Sequence, residues 1–349
     1  MIIGITGLNA NDNPGPGVAV IRALKEEFGA DLKIIGLAYE SLESGIYMPQ
    51  LVDKTYHIPY PTSGSAALAE RLEQIHEAEK LDLIIPNFDS ELFNFIKLTP
   101  WLNSLGIKTF LPSHEQLAAR DKVNLAAFGK KHGFMVPADH LLHSVNDVEL
   151  AGDELGYPLV IKGKFYEAYI NYNVEVAQKS FHQLSAKWGL PVIAQKFIRG
   201  TEINIAGLAD GRGNAISVIP MRKLYITDKG KAWAGVTIED CDLIELAKKF
   251  AEKTLWKGGF ELEIMRDNDG QLYIMEINPR FPAWIYLAVG AGQNQPAALV
   301  KMAMGQHVEP FTSYAVGKMF IRYSWDQLVD IGDFQQFSAF GELNHQKLN

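Results

Sequence analysis

The chain contains a single cysteine, Cys241, in 349 residues. No internal disulfide can form, which fits a reducing cytoplasm and excludes a small disulfide-stapled scaffold. Cys241 opens an amphipathic helical pattern, where a packing role is expected. Long apolar runs are also lacking: none approaches the ~18 residues of a membrane span. Met1-Ile-Ile-Gly-Ile has neither a positive leader nor a long apolar core. A soluble, cytoplasmic protein with no membrane partner is expected. Basic blocks are missing too. With 33 Lys+Arg against 41 Asp+Glu and a net charge of -8, no nucleic-acid partner is expected, and an anionic ligand has to be held by local groups rather than by a global field. Internal repeats and low-complexity linkers are absent. What remains is a chain that is 47% hydrophobic, long enough for two or three domains and apolar enough to bury their cores.

Met1 to Thr6 is a short apolar run. Gly7-Leu-Asn-Ala-Asn-Asp-Asn-Pro-Gly15-Pro-Gly17 follows, then a helical pattern from Val18 to Phe28. Strand, glycine turn and helix open an α/β sheet, although these glycines do not fit G-x-G-x-x-G and a dinucleotide site is not expected. Apolar runs at Lys33 to Ala38, Leu81 to Pro86 and Gly106 to Leu111 alternate with helical patterns at Ala66 to Glu79 and Asp89 to Leu105. The alternation predicts an open, Rossmann-like parallel sheet over residues 1–112. Ligands of such sheets bind beyond the carboxyl ends of the strands, where Gly7-Leu8-Asn9 and Asn87-Phe88-Asp89-Ser90-Glu91 fall. Asp89 and Glu91 can equally serve as a helix cap and first-turn charge.

The texture changes at Pro112-Ser113-His114-Glu115. Residues 113–196 read as a small α+β domain, with helices at Gln116 to Ala119, Lys122 to His132 and Phe181 to Trp188. Its strands are expected around Leu159 to Lys164, Tyr172 to Ala177 and Val192 to Phe197. Residues 197–310 read as a larger domain: paired strands at Thr201 to Leu208 and Asn214 to Ile226, a helix from Ile238 to Trp256, a hairpin, and helices around Ala283 to Val289 and Gln295 to Met304. A strand-like tail, residues 311–349, closes the chain.

The hairpin carries the chemistry. In Gly258-Gly-Phe-Glu-Leu-Glu263-Ile-Met-Arg-Asp-Asn-Asp-Gly270-Gln-Leu-Tyr-Ile-Met-Glu276-Ile-Asn278-Pro-Arg280, alternation from Phe260 to Met265 gives a half-buried strand and Asp267-Asn-Asp-Gly270 a turn. Glu263 and Glu276 flank that turn and can become cross-strand neighbours, with Asn278 two residues further along the same face. Two adjacent carboxylates repel unless a cation lies between them, and a hard cation such as Mg²⁺ takes oxygen ligands of this kind. The alternative is a solvated face with one Glu on each strand. Asn278-Pro279-Arg280, which ends the strand with another oxygen ligand and a cation, argues against it.

In this order the chain resembles the ATP-grasp superfamily of ATP-dependent ligases, in the branch that looks like one half of the carbamoyl-phosphate synthase large chain. The resemblance runs from about residue 1 to residue 305 and is sharpest over Phe260 to Arg280, with its acidic residue, turn and Glu-Ile-Asn-Pro-Arg. It implies an ATP-grasp fold, two α+β subdomains clasping ATP behind the amino-terminal sheet. It makes Glu263, Glu276 and Asn278 the ligands of magnesium, with manganese as a substitute. Lys122 and Lys162 match the two lysines on the ATP phosphates, and Lys162 ends an otherwise apolar strand where a buried ammonium needs a partner. Gln195, Lys196, Phe197 and Ile198 match the strand and hinge that read adenine, and Glu202 the acidic residue on the ribose. Arg222 and Arg280 are the expected catalytic cations, Arg222 on the transferring phosphate or acyl-phosphate oxygen and Arg280 on a phosphate or substrate carboxylate. Lys223, next to Arg222, is expected to face solvent. One departure is Gly163-Lys-Phe-Tyr-Glu-Ala-Tyr169, bulky where relatives carry a glycine-rich lid.

The resemblance implies a ligase that activates a carboxylate as an acyl phosphate and joins it to an amine, its substrates being small molecules or peptides. A homodimer is the assembly considered. A non-catalytic nucleotide-binding or partner-binding protein, and a phosphotransferase that stops at the phosphorylated product, are the alternatives.

Overall fold

The computed structural model describes residues 1–10, 14–164, 167–227 and 230–345. Parts of two segments singled out above lie outside these residues, Asn11 to Asn13 in the first glycine turn and Phe165 and Tyr166 in the segment after Lys162, as do Asp228 and Lys229 in the loop after Ile226.

The amino-terminal sheet has five strands. They are β1 (Ile2–Ile5), β2 (Lys33–Ala38), β3 (Lys54–His57), β4 (Leu83–Ile85) and β15 (Glu342–Asn344), in the order β15-β3-β2-β1-β4. β1 to β4 run parallel and β15 antiparallel to β3. Their inward residues, Ile3, Ile5, Ile34, Ile35 and Leu37, are fully buried. Such runs suit strands covered on both faces, which the helices Gly17–Phe28, Gly64–Glu79 and Asp89–Ser104 provide. The expected strand at Gly106 to Leu111 is a correction: this stretch makes one parallel bridge, Leu83 to Lys108, and no ladder.

A four-stranded antiparallel sheet follows: β5 (Asp139–Leu142), β6 (Leu159–Lys162), β7 (Ala168–Asn171) and β8 (Val192–Lys196), in the order β5-β8-β6-β7. The expected strand at Tyr172 to Ala177 is a second correction. Asn173 caps a helix there, its Oδ1 accepting from Val176 N at 3.0 Å, and the helix runs Val174–Trp188. The cap satisfies an otherwise orphaned N–H, which outweighs the β-branched Val174 and Val176.

A six-stranded sheet is built from β9 (Gly200–Asp210), β10 (Ala215–Ile226), β11 (Ala232–Thr237), β12 (Lys257–Asp267), β13 (Leu272–Asn278) and β14 (Met319–Ile321), in the order β13-β12-β9-β10-β11-β14. Asp267 makes the β12–β13 turn by accepting from Asp269 N and Gln271 N at 3.0 and 2.8 Å. Gly270, at φ 86, takes the left-handed conformation that the turn requires. Phe260 of β12 is fully buried with Phe250 and Trp256. A Cβ on Gly207 would stand 2.1 Å from its ring, so only glycine admits that packing. Cys241 begins the helix Cys241–Thr254 and is exposed, not packed as expected, because Asp240 caps the helix and Leu243, Ala247 and Phe250 form its buried stripe.

The chain divides into two compact units. One comprises residues 1–114, 204–261 and 278–349, the other 115–203 and 262–277. The tail contributes the helix Ile331–Phe340 and β15 to the first unit. Among the described residues no helix is long and apolar enough to cross a membrane.

Candidate functional site

Within the second unit, an apolar strand and a hairpin bring charges of both signs together. β6 reads Leu-Val-Ile-Lys, with Leu159, Val160 and Ile161 buried and Lys162 half-buried at its end. Burial pushes the Lys162 ammonium below its ordinary value, and Lys122 pushes it further. Glu276, Glu263 and Asp139 pull the other way. Lys122 lies 3.3 Å from Glu276 Oε2, with both side chains partly covered. Two cations and two carboxylates expected at the phosphate and metal sites are thus mutual electrostatic neighbours.

β8 presents the residues expected to read adenine. Lys196 N donates to Ala138 O at 2.8 Å, Lys196 itself is exposed, and Ile198 is buried. Gln195 is 4% exposed and its Oε1 has no hydrogen-bond partner among the described residues. A buried acceptor without a donor costs roughly 1–3 kcal/mol, so it is a position at which a ligand N–H is favoured. Glu202 is half-buried at the start of β9.

The first unit holds a second polar constellation, built around a residue to which sequence reasoning gave no role. Alternation along Phe260-Glu-Leu-Glu263 places Glu261 on the outward face together with Glu263, yet Glu261 is 6% exposed. Its Oε1 accepts from Asn204 Nδ2 at 3.0 Å and Trp284 Nε1 at 2.8 Å. Its Oε2 accepts from Asn278 Nδ2 at 3.1 Å and Arg280 Nη1 at 3.3 Å. Arg280 Nε also lies 3.4 Å from Asp89 Oδ1. Arg280 is therefore fixed between two carboxylates, and Trp284 is a buried hydrogen-bond donor as well as a packing residue. The only sequence signal for Glu261 was an acidic residue inside a strand flanked by fully buried Phe260 and Leu262. Arg222 is exposed, and Lys223, expected to face solvent, is half-buried with Nζ 3.4 Å from Gly230 O.

In the same unit, beyond the carboxyl ends of β1 and β4, Glu91 is 1% exposed. It accepts from Thr6 Oγ1 at 2.5 Å, Asn87 N at 2.6 Å, Phe88 N at 2.9 Å and the Tyr39 hydroxyl. Burial pushes this carboxyl up to about 7, against the opposing pull of those hydrogen bonds. Glu91, third residue of its helix, thus satisfies the N–H of the N-cap residue Phe88 and is the centre of a buried polar network.

Glu263 and Glu276 in the second unit and Asn278 in the first carry hard oxygen donors, the chemistry that Mg²⁺ or Mn²⁺ takes. Among the described residues no group of three His, Cys, Asp or Glu side chains is gathered for a metal.

The amino-terminal, mostly parallel sheet and the two antiparallel sheets form an ATP-grasp fold like that of biotin carboxylase. More narrowly, residues 190–320 match the family described as ATP-grasp in the biosynthetic pathway with Ter operon. Over 254 residues the chain is 23% identical to the carbamoyl phosphate synthase large chain of Agathobacter rectalis, covering 66% of this chain and 22% of that one. Over 173 residues it is 26% identical to the D-alanine–D-alanine ligase of Ectopseudomonas mendocina, covering 46% of this chain and 55% of the ligase. The chain thus spans well under two thirds of either relative. Biotin carboxylase from Campylobacter jejuni, in a β-γ-ATP complex, is similar in structure with a TM-score of 0.71 at 18% identity, covering 91% of this chain and 74% of that one. L-amino acid ligase from Bacillus licheniformis gives 0.65 at 16%, covering 87% and 74%. At these identities the structural likeness establishes the fold alone.

Proposed function

We propose that the protein is an ATP- and magnesium-dependent ligase that activates a carboxylate as an acyl phosphate and joins it to an amine, forming an amide or peptide bond. The observation that carries this reading is the grouping of Lys162 and Lys122 with Glu276 and Glu263. Ammonium groups for phosphate oxygens and carboxylates for a hard cation are interleaved as a metal–triphosphate needs them.

Each residue then has a task. Lys162, with burial opposing its charge, gains when a phosphate arrives, so it favours the bound nucleotide electrostatically. Lys122 exchanges its contact with Glu276 for a phosphate oxygen and leaves that carboxylate to the metal. Glu263, Glu276 and Asn278 hold Mg²⁺ or Mn²⁺, which when bound neutralises the charge on the phosphate oxygens. Gln195 offers its Oε1 to the exocyclic amine of adenine, with backbone groups of Lys196 to Ile198 on the base edge and Glu202 on the ribose. Arg222 stabilises the transferring phosphate, and Arg280 orients the anionic substrate.

The D-alanine–D-alanine ligase and L-amino acid ligase among the relatives support amide formation. Small-molecule or peptide carboxylates and amines are the substrates under this reading. The dimer named for the biotin carboxylase domain of Hydrogenobacter thermophilus 2-oxoglutarate carboxylase supports a homodimer as its assembly.

The test is ADP release across pooled carboxylates and amines, with Glu276→Ala as control. The expected result is release that requires both a carboxylate and an amine and is lost in the variant. Release with a carboxylate alone, giving a stable phosphorylated product, would instead identify a phosphotransferase. Equal release by wild type and variant, or no ATP binding with Mg²⁺ present, would overturn the reading.

A further inference from the structure

Glu261 is a buried carboxylate to which the proposed reaction gives no part, and its hydrogen bonds define what it does. Each of its oxygens accepts from two donors, Asn204 and Trp284 on Oε1, Asn278 and Arg280 on Oε2. A carboxylate oxygen has about two acceptor positions, so none is left for a proton in transit and Glu261 is not a general base. It orients its neighbours instead. With both Glu261 oxygens accepting, the amide of Asn278 faces it with nitrogen and turns Oδ1 the other way. The same Oε2 holds one arm of Arg280 while Asp89 holds another.

We propose that Glu261 is a positioning residue for metal binding, which fixes the amide of Asn278 with its oxygen presented as a metal ligand and holds Arg280 beside it. The proposal rests on the reading of Asn278 as a magnesium ligand. Outer partners of this type set the orientation of a ligand, and their loss typically lowers metal affinity about 10- to 100-fold.

The variant Glu261→Gln separates this role from plain packing. Trp284 can only donate, so the glutamine oxygen must take the Oε1 position, which places its NH₂ against Asn278 and Arg280. Donor then faces donor, and the Asn278 amide turns over and points nitrogen where oxygen had been. Magnesium is titrated into each protein with a non-hydrolysable ATP analogue, and nucleotide binding is read by calorimetry, with a thermal melt as the control for folding. Expected for Glu261→Gln is a rise of at least about 10-fold in the Mg²⁺ concentration for half-maximal enhancement, with magnesium-free nucleotide affinity unchanged. Glu261→Gln/Asn278→Asp restores a donor–acceptor pair, because the new NH₂ meets a carboxylate, and is expected to recover part of the loss. A folded Glu261→Gln with the wild-type magnesium midpoint would overturn the proposal, as would equal losses with and without magnesium or a double variant no better than the single. Wild-type protein that binds the analogue with no magnesium dependence removes the functional reading itself, an outcome distinct from any of these.

Discussion

Lys122 Nζ stands 3.3 Å from Glu276 Oε2, joining the start of the second unit to the hairpin strand that ends in Asn278. The pair is partly covered, with 21% and 29% of the two side chains exposed, so its attraction is only partly screened.

If Lys122 transfers from Glu276 to a phosphate when nucleotide binds, Lys122→Met removes a charge-assisted contact from the complex and a partly exposed ion pair from the free protein. The first is worth about 1.5–3 kcal/mol and the second on the order of 1 kcal/mol or less. Nucleotide affinity is therefore expected to fall about 10- to 100-fold, while the melting temperature moves by only a few degrees. Calorimetry and a thermal melt on the same sample check this. Unchanged affinity with a lowered melting temperature would make the pair a structural ion pair and nothing more.

Lys162 predicts a proton coupling. Burial and Lys122 depress its ammonium in the free protein, and triphosphate charge would raise it again. At a pH between the two values the lysine is neutral before binding and charged after it, so binding takes up a proton. Affinity is then full below the depressed value and weakens as pH rises from it to the higher value of the bound state. Calorimetry in buffers of different ionisation enthalpy measures the uptake directly, and Lys162→Met is expected to abolish it. Uptake that persists in the variant would assign the proton to another group.

The hairpin was legible because its signals are local: a period of two, an Asn-Asp-Gly turn, and carboxylates on both sides. Lys162 stood out as a charge closing an apolar strand. Glu261 was not legible, since alternation sends it outward with Glu263. It is buried because Asn204 and Trp284, distant in sequence, supply donors that make burial of its charge tolerable. β3 and β15 are short and polar, Lys-Thr-Tyr-His and Glu-Leu-Asn, and are strands only because the rest of the sheet gives them partners. At Val174 the β-branched residues suggested a strand, and the Asn173 cap determined a helix.

Glu91 makes stability depend on pH in the direction opposite to most carboxylates. In the fold it titrates near about 7 against an ordinary 4.5, because burial outweighs the donors around it. Between those values the folded protein keeps a proton that the unfolded chain has released. The site's contribution to stability is accordingly largest at low pH and falls as pH rises through this window, by on the order of 3 kcal/mol in total. Glu91→Gln removes the buried charge and keeps an acceptor oxygen for Asn87 N, Phe88 N and the Thr6 hydroxyl, while its NH₂ meets the Tyr39 hydroxyl, which can also accept. The variant is expected to gain melting temperature relative to wild type as pH is raised through the window, with the two converging towards its acid end. A difference that stays constant with pH would show that Glu91 is not the group that titrates there.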